Sequence, residues 1–318
     1  MNCTLCNAGV FIKLMLLIIT TLVSGLPLAG CSAKDDAIQV RLEKRDTSSR
    51  QIQTGAKPLR VAIGGMITPK DGFKYYRDFL VYIEEKMGRP VEFVDKDSYA
   101  EINDMLQSGT LDFAFVCSGP YVDGHDKFGL QLLVAPEVNG KPLYYSYIIV
   151  NAASPLNSFK SLKGKTFAFT DPLSNTGKLV PTYMLGKMKE TPESFFKESI
   201  FTKKHDTSIR MVADKLVDGA AVDSLVWEYM NISNPSVTSR TKIIEKSPPY
   251  GIPPVVVPGT MSPETRKQLL KLFLEADRDE KGKVLLKGMM TGRFIEVDDH
   301  LYDSVRDMLA WTRKQKSK

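Results

Sequence analysis

The chain has 318 residues, 43% hydrophobic and 25% charged, with 43 basic side chains against 37 acidic ones. That length allows two domains with separate cores, and the basic residues are spread along the chain, without the clustered patch of a nucleic-acid-binding protein. The three histidines and Cys117 show no spacing suited to a metal centre, and the Cys3/Cys6 pair, which has a metal or redox spacing, has no second pair to complete a site.

In chain order, the first signal is the apolar run Leu14 to Val23, preceded by Lys13. It has the length of a signal-peptide core and is too short to span a bilayer as a helix. Leu28-Ala29-Gly30-Cys31 follows, in the form of a bacterial lipoprotein box. Residues 1–30 are therefore expected to be a lipoprotein signal peptide, with Cys31 lipidated. Cys3 and Cys6 would leave with that segment, so Cys117 remains without an internal disulfide partner. Residues 31–58 are polar and charged and read as a flexible tether. A protein tethered outside the cytoplasmic membrane has no ready ATP or NAD supply, so neither cofactor nor metal is expected.

The folded part alternates strand and helix. Strands are predicted at 59–63, 91–94, 113–116, 130–134 and 145–150, with helices at 75–87 and 99–106. A second set comprises strands at 166–170, near Ile200 and at 220–222, with helices from about 178 and at 207–217. Strands at 243–244 and 255–257 and helices at 263–275 and 300–313 follow, and the basic end Arg313 to Lys318 reads as a frayed tail. Such alternation predicts an α/β protein with mostly parallel sheets.

The segment Asp171-Pro172-Leu173-Ser174-Asn175-Thr176-Gly177-Lys178-Leu179-Val180-Pro181 sits where a strand hands over to a helix. Unpaired N–H groups and the helix dipole favour an anion there. An ordinary capped helix start explains the same residues. A nucleotide phosphate loop is excluded, because Pro172 and Leu179 stand where it needs Gly and Ser or Thr.

Together with Asp112-Phe113-Ala114-Phe115, Ser118-Gly119-Pro120-Tyr121, Ser154-Pro155-Leu156 and Lys246-Ser247-Pro248, this segment resembles the periplasmic solute-binding proteins of ABC importers for phosphonate, phosphite and phosphate. The resemblance implies a two-lobed, type II-like periplasmic-binding-protein fold, its α/β lobes joined by two crossing strands around a ligand cleft. Lobe 1 would be residues 59–150 plus 248–318, and lobe 2 residues 151–247. It implies ligand contacts from Ser174, Asn175, Thr176 and Gly177 in the turn, and from Tyr99, His205 and Asp223. Ser118 and Tyr121 are expected on the lobe 1 wall. Taken alone, Tyr99 equally suits a core aromatic, His205 a surface residue and Asp223 a helix N-cap. Relatives that take aminoalkyl phosphonates carry acids near Leu225 and Pro253, so an uncharged or smaller substituent is expected here.

The expected function is capture of a small phosphorus oxyanion for ABC permease subunits, by a monomer held to the periplasmic side of a membrane through Cys31. A sensory protein presenting the ligand to a membrane kinase would use the same cleft. An enzyme built on Ser174, His205 and Asp223 is disfavoured, since no Gly-x-Ser-x-Gly elbow is present.

Overall fold

The structure, a computed structural model, describes residues 56–65 and 70–316. The expected signal peptide, Cys31 and the tether up to residue 55 lie outside the described residues, as do Ser317 and Lys318.

The chain begins with β1 (Leu59–Ile63), α1 (Lys70–Met87), β2 (Val91–Phe93), α2 (Tyr99–Gln107) and β3 (Phe113–Phe115). Helix α1 buries Phe79, Leu80, Tyr82 and Ile83, the spacing of one helical face. Ser98 caps α2 by accepting the Glu101 N–H at 3.3 Å, and Tyr99, Ile102 and Leu106 form its buried side. Next come α3 (Ser118–Phe128), β4 (Gln131–Glu137), β5 (Leu143–Tyr144) and β6 (Ser146–Asn151). Then follow β7 (Thr166–Phe169), one π-helical turn (Asn175–Leu179), α4 (Val180–Lys187), α5 (Pro192–Phe195) and β8 (Glu198–Phe201). After α6 (His205–Ala213), β9 (Gly219–Asp223), α7 (Ser224–Ser233), α8 (Pro235–Thr238) and β10 (Thr241–Lys246), the chain returns through β11 (Tyr250–Gly251). It ends with β12 (Val255–Val257), α9 (Pro263–Glu275), α10 (Glu280–Gly288), β13 (Arg293–Ile295) and α11 (Asp303–Lys316).

These strands form two sheets, ordered β13-β4-β12-β3-β1-β2 and β10-β6-β9-β7-β8, and the passages between them pair as the two-stranded ribbon β5–β11. The second sheet is covered on both faces. Tyr147 and Ile149 of β6 join one apolar cluster, and Ile148 and Val150 join another. This is the period of two that a strand imposes on its side chains.

The expectation of mostly parallel sheets is corrected. Strand β1 runs parallel to β2 and β3, and β7 parallel to β8 and β9, each link containing a helix. Strand β12 instead inserts antiparallel between β3 and β4, and β6 lies antiparallel to β9 and β10. Parallel neighbours need a crossover connection, and strands that arrive by crossing between sheets have none. Strand β6, expected in lobe 1, pairs only within the second sheet. The basic end is no frayed tail as far as residue 316. Helix α11 extends to Lys316, and Arg313 bonds Asp123 at 3.0 Å.

Candidate ligand-binding site

Strand β7 ends at Phe169 and delivers Thr170 and Asp171 to the junction of the two sheets. The Asp171 carboxylate accepts the Leu173 N–H at 2.7 Å and, from the other half of the molecule, the Tyr99 N–H at 3.1 Å. Burial raises its pKa, against these two bonds, which lower it. Ser174 caps the π-helical turn, its Oγ accepting the Gly177 N–H at 3.0 Å. Gly177 is required by space, because a Cβ there would lie 1.7 Å from Thr170 Oγ1. Pro181 sits in the first turn of α4, where its missing N–H costs nothing.

Ser174, Asn175 and Thr176 are fully buried. The Thr176 carbonyl accepts Ser146 Oγ at 2.7 Å, yet its hydroxyl has no protein partner, and neither has Thr170 Oγ1. Asn175 Nδ2 donates to the Tyr144 hydroxyl at 3.1 Å. Buried polar groups without partners are rare, so their concentration at this turn points to a polar ligand.

His205 opens α6 and is 1% exposed, which rules out the surface reading. Its Nδ1 accepts the Asp223 N–H at 2.9 Å, and burial lowers its pKa to about 3. The ring is therefore neutral with its proton on Nε2, which lies 3.5 Å from Ser174 Oγ. Nε2 cannot then take a proton from Ser174, and the Asp223 carboxylate does not orient the ring. The geometry is that of hydrogen-bond donors, not of a nucleophile with its base.

Asp223 ends β9 and is the helix N-cap that its residue type suggested. One carboxylate oxygen caps α7 by accepting the Leu225 N–H at 2.8 Å, while Oδ2 is buried without a partner. Burial pushes its pKa up to about 7. Ser118 opens α3 and meets the Tyr144 hydroxyl at 2.5 Å. A Cβ on Gly119 would lie 2.2 Å from Leu173 O, so the start of α3 abuts the turn directly. Two helix starts, one from each half, thus converge on the same small volume.

Sequence reasoning missed Tyr144, a fully buried residue of the β5 ribbon, whose hydroxyl joins Cys117, Ser118 and Asn175. The tyrosine pair at 144–145 was the available signal. Tyr99 is 2% exposed, with its ring packed against Gly64. The Tyr121 hydroxyl donates to Asp299 at 2.6 Å and its ring packs on Tyr302, so it braces the C-terminal segment against α3. Burial also raises the pKa of the Cys117 thiol, leaving it a poor nucleophile.

Residues 66–302 match the family model described as the phosphonate ABC transporter periplasmic substrate-binding protein. The chain belongs to this family. It is 26% identical over 242 residues to the phosphonates-binding periplasmic protein of Escherichia coli, covering 74% of this chain and 71% of that one. It is 27% identical over 266 residues to the phosphate-import protein PhnD of Mycolicibacterium smegmatis, covering 76% and 82%. The solved structure of PhnD1 from Prochlorococcus marinus in complex with methylphosphonate aligns with a TM-score of 0.73 at 22% identity, over 82% of this chain and 99% of that one. The periplasmic-binding-protein fold of this family is thereby shared. Among the described residues no helix is long and apolar enough to cross a membrane.

Proposed function

We propose that this chain is the extracytoplasmic solute-binding component of an ABC importer, and that it captures a phosphorus oxyanion between its two lobes. The carrying observation is the buried cluster at the lobe junction. Ser174, Thr176 and the Nε2–H of His205 are neutral donors, and Asp223 Oδ2 and Asn175 Oδ1 are unpaired acceptors. Such a set fits a tetrahedral anion that still carries one proton, as phosphonate, phosphite and phosphate do near neutrality. Above about pH 7, where the Asp223 carboxyl is ionised, sulfate offers it no proton and meets an unpaired carboxylate.

The ribbon β5–β11 acts as the hinge, with lobe 1 as residues 59–145 plus 248–318 and lobe 2 as residues 146–247. Closure brings the α3 start onto the turn. The Leu28-Ala29-Gly30-Cys31 box supports attachment to the membrane by lipid on Cys31, with permease subunits as partners. Calorimetric titration of the purified chain at about pH 8, above the Asp223 pKa, with phosphite, phosphate, methylphosphonate and sulfate tests the reading. Heat from at least one phosphorus oxyanion and none from sulfate is expected. Silence from all three phosphorus compounds overturns it.

A further inference from the structure

Helix α11 is built into one lobe and reaches the other. Tyr302 and, from α11 itself, Val305 and Met308 are buried in the apolar cluster of lobe 1. Arg313 bonds the buried Asp123 of α3 at 3.0 Å, and Arg306 bonds Asp126 at 3.2 Å. Its C-terminal half lies on α4 of lobe 2, the helix that continues directly from the π-helical turn. The half-buried Trp311 seats its ring on Gly186, where a Cβ would stand 2.5 Å from Trp311 Cζ3. The Tyr183 ring meets it edge-on, with centroids 4.9 Å apart and planes at 74°. Lys187 Nζ lies 5.8 Å from both ring centroids. Leu179 and Val180, where α4 begins, join the same apolar cluster as Val305 and Met308.

We propose that α11 is a clasp for the closed state, and that Trp311 is a positioning residue which sets how long a captured ligand stays, through its grip on α4. The inference rests on the preceding reading only in that the lobes part and close around an oxyanion. When they part, α11 stays with lobe 1, because its apolar seat and the ion pair to a buried carboxylate hold it there. The contact of Trp311 with Gly186 and Tyr183 is then lost, and apolar surface of both lobes returns to water. Surface of this size favours the closed state by about tenfold or more. A ligand enclosed between lobes leaves only after they open. Whatever favours closure therefore slows departure and leaves encounter with the open form unchanged. Gly186 serves the same contact. Glycine is a poor residue inside a helix, and no positive φ calls for it here. What it supplies is a flat seat for the ring.

In stopped-flow experiments with phosphite or methylphosphonate, Trp311→Ala is expected to speed dissociation by about tenfold, with the association rate within about twofold of wild type. A residue that only held the fold together would lower the fraction of active protein and leave the dissociation rate alone. Gly186→Ala adds one methyl that displaces the ring, while alanine favours the helix itself. It is expected to speed dissociation in the wild-type background and to change nothing in the Trp311→Ala background. The chain has two tryptophans, so Trp227→Phe leaves Trp311 as the sole reporter. Its emission is expected to move to shorter wavelength when the ligand is added, as α4 covers the ring. Should Trp311→Ala not fold, Gly186→Ala and the emission shift carry the test. Unchanged dissociation, additive effects of the two substitutions, or an emission that stays still while calorimetry shows binding overturns the clasp and leaves the oxyanion reading standing. Silence from phosphite, phosphate and methylphosphonate in the wild type removes both.

Discussion

Thr176 and Asp223 each keep one buried polar atom without a protein partner, and each yields a different prediction. Thr176→Val exchanges a hydroxyl for a methyl of nearly equal volume. Loss of one hydrogen bond to an anion costs roughly 1.5–3 kcal/mol of binding, while the melting temperature is expected to hold, since that hydroxyl bonds nothing in the protein. Calorimetry and thermal melts of the same preparation separate the two. Ser174→Ala behaves differently, because its oxygen also caps the Gly177 N–H and both readouts fall. For Asp223 the proton count decides. The complex needs one proton between the carboxylate and the ligand. With the free carboxylate titrating at about 7, affinity for methylphosphonate is expected to decline toward tenfold per pH unit above roughly pH 8. Asp223→Asn supplies a donor at that place, which flattens the decline and admits sulfate. Dissociation constants from pH 6 to 9 check this, and a wild-type affinity constant across that range contradicts it.

Among elements, the turn and α3 are complementary halves of one surface; the turn was legible in the sequence from its local chemistry, whereas Ser118 was singled out only by resemblance and the helix it opens was not predicted. The turn puts strand end, cap, glycine and first-turn proline into eleven consecutive residues, so local chemistry betrays it. Helix α3 starts Ser118-Gly119-Pro120-Tyr121 and buries nearly every residue of its first two turns, which erases the amphipathic period that identifies a helix. Tyr144 stands 31 residues from Asn175 and its strand is two residues long, so nothing near it announces a role. Helix α10, which ends beside Met289, and β13, which carries Phe294, border a cavity shared with Asp223 and reach it only through tertiary packing. The burial of His205 was likewise invisible, because a polar Lys203-Lys204-His205-Asp206 run reads as surface. Close approach of α3 to the turn gives a prediction at this scale. Gly119→Ala sets a methyl where Leu173 O stands, a clash between lobes and not within either. Binding is expected to weaken more than tenfold while the unfolding midpoint of the ligand-free protein stays within a degree or two. A large loss of stability instead would mean that the lobes cannot part to relieve the contact.

For the whole molecule, the lobe junction also sets how stability responds to acid, through two buried groups whose titrations oppose each other. The pKa of His205 falls from its usual 6.5 to about 3 on folding. The folded chain then binds fewer protons between those values, so this contribution to stability is lost as pH falls through that window. The pKa of Asp223 rises from 3.8 to about 7. The folded chain binds more protons between those values, so this contribution is lost as pH rises through them. From about pH 4 to 6.5 each group acts with a slope of roughly 1.4 kcal/mol per pH unit, and the two slopes have opposite sign. Together they leave the wild type almost indifferent to pH in that range as far as these two groups are concerned. Asp223→Asn removes one of the pair. The variant is then expected to lose stability steadily as pH drops from 6.5 to 4, because the unfolded chain takes up a proton on His205 that the folded core does not admit. Urea midpoints of both proteins at pH 6.5, 5.5 and 4.5, without ligand, read this directly. A flat curve for the variant would show that His205 takes up its proton without leaving the folded state, and would remove it from the set of neutral donors, while parallel curves would show that the Asp223 carboxyl is not shifted by folding.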